Sequence, residues 1–332
     1  MWYSVAFIAL IAILALRSRL LRHIYLLTKA QNAFTAKQWP EAERLYRAAL
    51  NCAPGGPESN YHRGCQIQLA RIRYRRGDLL EAEAFLQRSL PGWAQDSPGV
   101  LDALSIGYVT WGQVCLDQGR YLEAQGHLVR ALRLRERTGN DALMIMELQT
   151  LGEILLRQEK FDEAESILQR SNEIEGKVVH QVLSREGTNP SSRVVVSMTQ
   201  PDVYFSQRRW AEALNVYQEK VVHWERSLTR PDNVDLGHLQ MRLAEVQTRL
   251  DDQPAAIETY RHAAASLVKD WGEDHPRVAF ALSRLSQSLN NANERTEACR
   301  LAQQALDLFE SHGAPEHPEA DCCRQVLVRS AI

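Results

Sequence analysis

Seven short segments of the chain share one frame: WPEAERLYRAAL, LLEAEAFLQRSL, YLEAQGHLVRAL, FDEAESILQRSN, WAEALNVYQEKV, QPAAIETYRHAA and RTEACRLAQQAL. Their anchoring alanines are Ala42, Ala82, Ala124, Ala164, Ala213, Ala256 and Ala298, separated by 40, 42, 40, 49, 43 and 42 residues. Self-similarity at this period restricts the fold more than composition can, because each unit is too small to bury its own apolar face and must stack on the next. Each alanine follows an apolar segment of helical periodicity and a short polar turn such as Gln118 to Arg120. Every unit therefore reads as two antiparallel helices, A and B, and the chain as an all-α stack of about seven helical hairpins.

Helix A in the third unit carries Tyr108, Trp111 and Gly112, followed on helix B by Ala124; the fourth unit has Leu148, Leu151, Gly152 and Ala164, and the first has Ala42, Tyr46, Ala49 and Pro54. This pattern, large-x-x-large-small and then Ala-x-x-x-aromatic, resembles the tetratricopeptide repeat (TPR). The small residues let the two helices approach, and Trp111, Tyr46 and Tyr260 fill the space between them. The resemblance covers roughly residues 23–312. It implies a helical-hairpin solenoid that receives a protein or peptide partner along the concave face lined by the A helices, with no cofactor. The period near 42 and the junction GEDHP, Gly272 to Pro276, are similar to the kinesin light chain subtype. At that junction Asp274 or His275 is expected to cap the next helix, with Pro276 in its first turn, where a missing N–H costs nothing. His317 and Pro318 repeat the arrangement ahead of a final helix, Glu319 to about Arg329. That subtype often carries an Asn pair on the inner face, where this chain has Gln149-Thr150 and Ser283-Arg284, so a kinesin-cargo role does not carry over.

With 45% hydrophobic and 24% charged residues in 332, the composition is that of a globular chain and not a disordered one. The net charge of −2 hides an asymmetry: residues 1–37 contain Arg17, Arg19, Arg22, Lys29 and Lys37 and no acid, which leaves a mildly acidic body. No nucleic-acid partner is expected from such a surface. Met1 to Leu16 is continuously apolar and the arginines follow at once, so residues 1–17 read as an uncleaved single-pass membrane anchor with the repeats in the cytoplasm. The first Gly or Pro is Pro40, so the apolar run and the first repeat are expected to share one helix. Six cysteines without a C-x-x-C pair fit a reducing compartment. The expected organisation is an anchor over 1–17, repeats one to four over 18–176, an insertion over 177–193, repeats five to seven over 194–312, and a capping helix within 313–332.

No segment matches a metalloprotease, P-loop, nucleophile-elbow or dinucleotide-binding motif, and the repeats occupy the length a catalytic domain would need, so no enzyme activity is expected. His312, His317, Cys322 and Cys323 form the strongest metal candidate, but no second pair completes it and it reads as a helix junction followed by a capping helix. The run RIRYRR, Arg71 to Arg76, reads either as a phosphate or acidic-peptide contact or as a solvated helix end. On the inner stripe of the A helices the repeat frame places Arg71, Tyr74 and Arg75; Ile106, Val109 and Gln113; Met146, Gln149 and Glu153; then Met198, Phe205, Met241, Glu245, Gln287 and Asn290. These are the candidate partner contacts of a membrane-anchored binding scaffold. The alternative is a peptide-sensing regulator whose groove holds a ligand peptide.

The long step of 49 residues between Ala164 and Ala213 contains SREGTNPSSR and places Pro201 where Gly112 and Gly152 stand in other units. An interior proline removes a helix hydrogen bond, so a kinked or shortened helix is expected there, beside a docking surface at Met198 and Phe205. Limited proteolysis is expected to cut first between Gly187 and Arg193; uniform resistance through that stretch would contradict this reading.

Overall fold

The structure is a computed structural model that describes residues 2–93, 97–139, 141–186, 200–226 and 236–330, with side chains from Ser18 onward except those of 141, 142, 179–186 and 330. All secondary structure among the described residues is helical. In order the helices are α1 (Trp2–Thr35), α2 (Trp39–Asn51), α3 (Asn60–Arg75), α4 (Leu79–Ser89), α5 (Pro98–Asp117), α6 (Tyr121–Thr138), α7 (Asp141–Arg157) and α8 (Phe161–Glu186). They continue with α9 (Gln200–Ser206), α10 (Trp210–Arg226), α11 (Leu236–Arg249), α12 (Gln253–Trp271), α13 (Pro276–Asn291), α14 (Arg295–Ser311) and α15 (Pro318–Ser330). The chain falls into two compact units, residues 1–111 and 112–332.

Consecutive helices pack as hairpins, α1 with α2 and α3 with α4 in the first unit, then α7 with α8, α9 with α10, α11 with α12 and α13 with α14 in the second. The anchoring alanines explain how closely. All seven have no exposed surface. Across from them the A helices use glycine: a Cβ on Gly152 would lie 2.5 Å from Leu168 Cδ2, and one on Gly237 would lie 2.5 Å from Leu267 Cγ. Aromatic residues fill what remains, with Tyr46 beside Phe34 and Ile72 in the first unit and Tyr260 beside Phe280 and Phe309 in the second.

The turn inside each hairpin follows one rule that the sequence conceals. The residue five before each anchoring alanine has positive φ: Lys37, Gly77, Gly119, Glu159, Arg208, Asp251 and Asn293. Its N–H returns to the carbonyl three residues back, as Glu159 to Leu156 at 3.0 Å, and the next N–H returns five back, as Lys160 to Leu155 at 3.0 Å. The same two bonds recur at all seven turns. This is the Schellman C-cap, which consumes the last carbonyls of helix A and reverses the chain. Only two of the seven positions are glycine, so the other five carry a side chain in a conformation that disfavours it.

Within each unit, side chains cap the helices that begin the next hairpin or the final helix. Ser59 Oγ accepts from His62 N–H at 3.2 Å, His275 Nδ1 from Arg277 N–H at 3.2 Å, and His317 Nδ1 from Glu319 N–H at 3.0 Å. The two His-Pro pairs are therefore helix starts, as the sequence implies, with His275 rather than Asp274 as the capping residue. α1 runs unbroken from Trp2 to Thr35, so the apolar run and the first repeat share one helix. No helix among the described residues is long and apolar enough to cross a membrane. The anchor expected over 1–17 gains no support from this, and the side chains of that run lie outside the described residues. Of the insertion expected over 177–193, residues 177–186 continue α8; residues 187–193, and 194–199 with Met198 beyond them, lie outside the described residues. Pro201 stands in the first turn of the seven-residue α9.

The turn rule predicts opposite outcomes for two substitutions. Asp251→Gly should raise the denaturation midpoint by relieving about 1 kcal/mol of left-handed strain. Gly119→Ala should lower it by more, because its φ is +76° and the added Cβ would lie 2.6 Å from Pro318 Cδ. Urea denaturation followed by circular dichroism measures both.

Candidate functional site

The A helices of residues 112–332 bring together charged side chains far apart in sequence. Glu153, near the end of α7, accepts from Arg157 Nη2 at 2.5 Å and stands 3.7 Å from His238 Nδ1 on α11. Arg277 at the start of α13 reaches Asp117 at 3.4 Å, across 160 positions of sequence. Arg157 lies over the ring of Phe280, 3.9 Å from its centroid, and Arg284 is 5.5 Å from the same ring. Arg284 in turn donates to Glu319 Oε1 at 2.8 Å, and Glu319 Oε2 accepts from Ser283 Oγ at 3.1 Å and Gln287 Nε2 at 3.2 Å. Glu319 is in the first turn of α15, where a helix N-terminus favours a negative charge. The turn from α5 to α6 meets the same place: Tyr121 is edge-on to His317, and Gly119 leaves room for His317 and Pro318.

Two cavities lie in this lattice. The smaller, about 30 Å³, is lined by Asp117, Glu153, Arg157, His238, Met241 and Arg277 among others, and has room for water. The larger, about 320 Å³, is bounded by Leu156, Phe161, Phe205 and Tyr260 on apolar sides, by the hydroxyl-bearing Thr248, and by the charged Arg157, Glu159, Arg242, Glu245, Arg249 and Arg284. Of the sequence candidates, Glu153 and Met241 line the first and Phe205 and Glu245 the second. Gln113, Met146 and Gln149 belong to the same unit but line neither; Gln113 and Gln149 are half-buried and Met146 is exposed. Ile106 and Val109, half-buried, belong to residues 1–111, as does the basic run, where Tyr74 is buried and Arg71 and Arg75 are half-buried. Arg71 donates to Gln68 Oε1 at 2.7 Å and lies 4.5 Å over the Phe34 ring, so that side chain is a packed element. A third cavity, about 500 Å³ and within residues 1–111, has His23, Gln31, Tyr46, Tyr61 and Cys65 in its walls and none of the candidates.

The lattice controls ionisation. Burial pushes the Glu153 carboxyl upward, but His238, Arg157, Arg242 and Arg277 outweigh it and hold the group well below the usual carboxylate range. Glu245 is lowered against its own burial by Arg242, Arg284 and Arg157. For Arg242 burial is unfavourable, yet Glu245, Asp202, Tyr217 and Glu153 together raise its pKa. His317 goes the other way: burial, then Arg157 and Arg284, pull it down to about 3, so it is a neutral ring stacked on Phe309 with centroids 4.6 Å apart. The metal candidate resolves accordingly: His317 serves as a cap, Cys323 is wholly buried, and His312 bonds the Asp274 carbonyl. No group of three or more His, Cys, Asp or Glu among the described residues is placed to hold a metal.

Sequence reasoning found Glu153 and Glu245 but not Arg157, Arg242 or Arg277. The Glu153–Arg157 and Arg242–Glu245 spacings, four and three apart on one helix, were the available signal.

Tetratricopeptide-repeat models match residues 104–174 and 278–319. The kinesin light chain subtype gains no support from these matches. No curated protein matches the sequence. Among solved structures, a Rap protein complexed with competence and sporulation factor is similar with a TM-score of 0.62 at 10% identity, over 93% of this chain and 87% of that one. NprR in complex with its cognate peptide NprX gives 0.59 at 12%, over 91% and 83%. A tetratricopeptide repeat protein from Parabacteroides merdae ATCC 43184 gives 0.50 at 14%, over 94% and 99%. At such identities the likeness establishes the fold.

The depressed pKa of His317 sets a pH dependence. The unfolded imidazole takes up a proton near its ordinary value of 6.5 and the folded one does not. Its contribution is therefore complete above about pH 6.5 and is lost as pH falls towards 3, by up to about 1.4 kcal/mol per pH unit. Urea midpoints between pH 7 and 4 should fall more steeply for the natural chain than for His317→Asn, which keeps a capping acceptor; parallel slopes would contradict it.

Proposed function

We propose that this chain is a non-catalytic protein-interaction module whose interior, within residues 112–332, holds an extended peptide. The observation that carries this reading is the larger cavity. It sets Phe161, Phe205 and Tyr260 beside four arginines and two glutamates, a mixture suited to side chains of one polarity on one side and the peptide backbone on the other. Adaptable Met241 and the Glu153 carboxylate continue the surface into the smaller cavity. Support comes from the similar folds of a Rap protein and of NprR, whose structures hold competence and sporulation factor and the cognate peptide NprX, respectively. The same reading extends to a role as a peptide-responsive regulator. Ligand contacts to α7, α11 and α13 together would fix their relative positions, and that change is available to a second partner. Phe205, Met241, Glu153 and Glu245 are the proposed contacts.

Peptides selected from a phage-displayed random library against the full chain should bind the natural protein. They should lose about tenfold or more in affinity for Thr248→Trp, which fills the cavity from an exposed position. Leu122→Ala, at a side chain 76% exposed, should leave affinity unchanged. Equal affinity for all three proteins would place the peptide elsewhere.

A further inference from the structure

One side of α1 is apolar where a solvated helix would be polar. The helix packs on α2 through Ala30, Ala33 and Phe34, which are buried with Ala42, Leu45 and Tyr46. Away from that contact Leu21 is 63% exposed, Ile24 49% and Tyr25 56%. These large side chains stand at positions i, i+3 and i+4 and so share one side of the helix. A single exposed apolar residue is ordinary on a protein surface, but adjoining ones mark a face that something covers.

The charge around this face selects what covers it. Arg19, Arg22 and Lys29 are exposed on the same helix, and no acidic residue precedes Glu41. The acids that follow are engaged elsewhere: Glu41 by Arg44 at 2.7 Å, and Glu43 by Arg47 at 2.7 Å and Arg76 at 3.0 Å. Glu58 is likewise paired with Arg63. Lys29 Nζ lies 4.9 Å from the centre of the Tyr25 ring, which brings its charge to the level of the apolar residues. A second copy of the chain seated here would set these cations against one another, whereas an anionic surface would neutralise them. The same helix runs unbroken from Trp2, and no charged residue precedes Arg17. Such a run beside basic and aromatic side chains suits a lipid surface better than a soluble acidic partner. From Leu21 to Tyr25 the axis rises about 6 Å. That matches the depth of one headgroup layer, roughly 5–8 Å.

We propose that α1 docks on an anionic lipid surface. Leu21, Ile24 and Tyr25 sit at the boundary between headgroups and acyl chains, and Arg19, Arg22 and Lys29 reach the lipid phosphates. The docking does not require α1 to cross the bilayer.

The test is vesicle flotation of the full chain, titrated with phosphatidylcholine vesicles and with vesicles that also contain phosphatidylserine. The natural chain should bind the anionic vesicles about 100-fold more tightly, since each basic side chain at such a surface contributes about a fivefold factor. High salt should reduce that preference. The triple variant Arg19→Gln, Arg22→Gln, Lys29→Gln should lose most of it. The triple variant Leu21→Ser, Ile24→Ser, Tyr25→Ser should bind both kinds of vesicle about tenfold or more weakly and keep the preference. All six side chains are exposed, so circular dichroism should show both variants folded. Equal binding of the natural chain to the two vesicle types, binding to neither, a preference that survives the glutamine variant, or natural affinity in the serine variant would overturn the lipid site. Sedimentation equilibrium showing a dimer that the serine variant abolishes would give the face to a second copy and overturn it as well.

Discussion

The closeness of the two helices in each hairpin is the constraint on which this structure depends. A small side chain must face the partner helix at the crossing, and the seven alanines of the B helices, all fully buried, supply it. The Schellman turn five residues earlier fixes how the chain enters each crossing. With the pair locked, one face of each hairpin remains apolar and must be covered by the next, which is why the fold propagates by nearest neighbours. At the end of the chain α15 performs that covering role, packing on α13 and α14 with Ala320, Cys323 and Val326 buried.

Stacking also decides what happens to charge. In residues 112–332 the inner helices place arginines and carboxylates where water is largely excluded. Several of them are paired: Arg242 with Glu245 at 2.8 Å and Arg284 with Glu319 at 2.8 Å, and likewise Arg135 of α6 with Glu147 at 2.9 Å. Well-packed apolar residues would serve stability as well or better, since the desolvation of a buried ion pair offsets most of its attraction. The charges are thus better understood through what they can recognise.

The parts of this arrangement legible in the sequence are those set within one repeat. Ala124 and Ala164, Gly112 and Gly152, and the caps at His275 and His317 each depend on residues a few positions away, and local spacing identifies them. The five non-glycine turn positions were hidden because Lys37, Glu159, Arg208, Asp251 and Asn293 share no side-chain chemistry; the backbone bonds alone define the site. The contact of Asp117 with Arg277 and the approach of Gly119 to His317 were hidden for another reason. They arise from the accumulated rotation of several repeats, which no single frame contains. Arg157 and Arg242 consequently read in sequence as ordinary charged helix positions, and only packing shows that they face inward, whereas the repeat frame already sets Arg284 on the inner face.

The central claim, that the interior of residues 112–332 receives the partner, is tested most directly by a crystal structure of the full chain with a selected peptide bound. The account predicts an extended peptide against α7, α9, α11 and α13, occupying the cavity between Phe205, Tyr260 and Arg242. A peptide seated on the outer faces of α8, α12 or α14, or on residues 2–111, with that cavity left as it is, would contradict it.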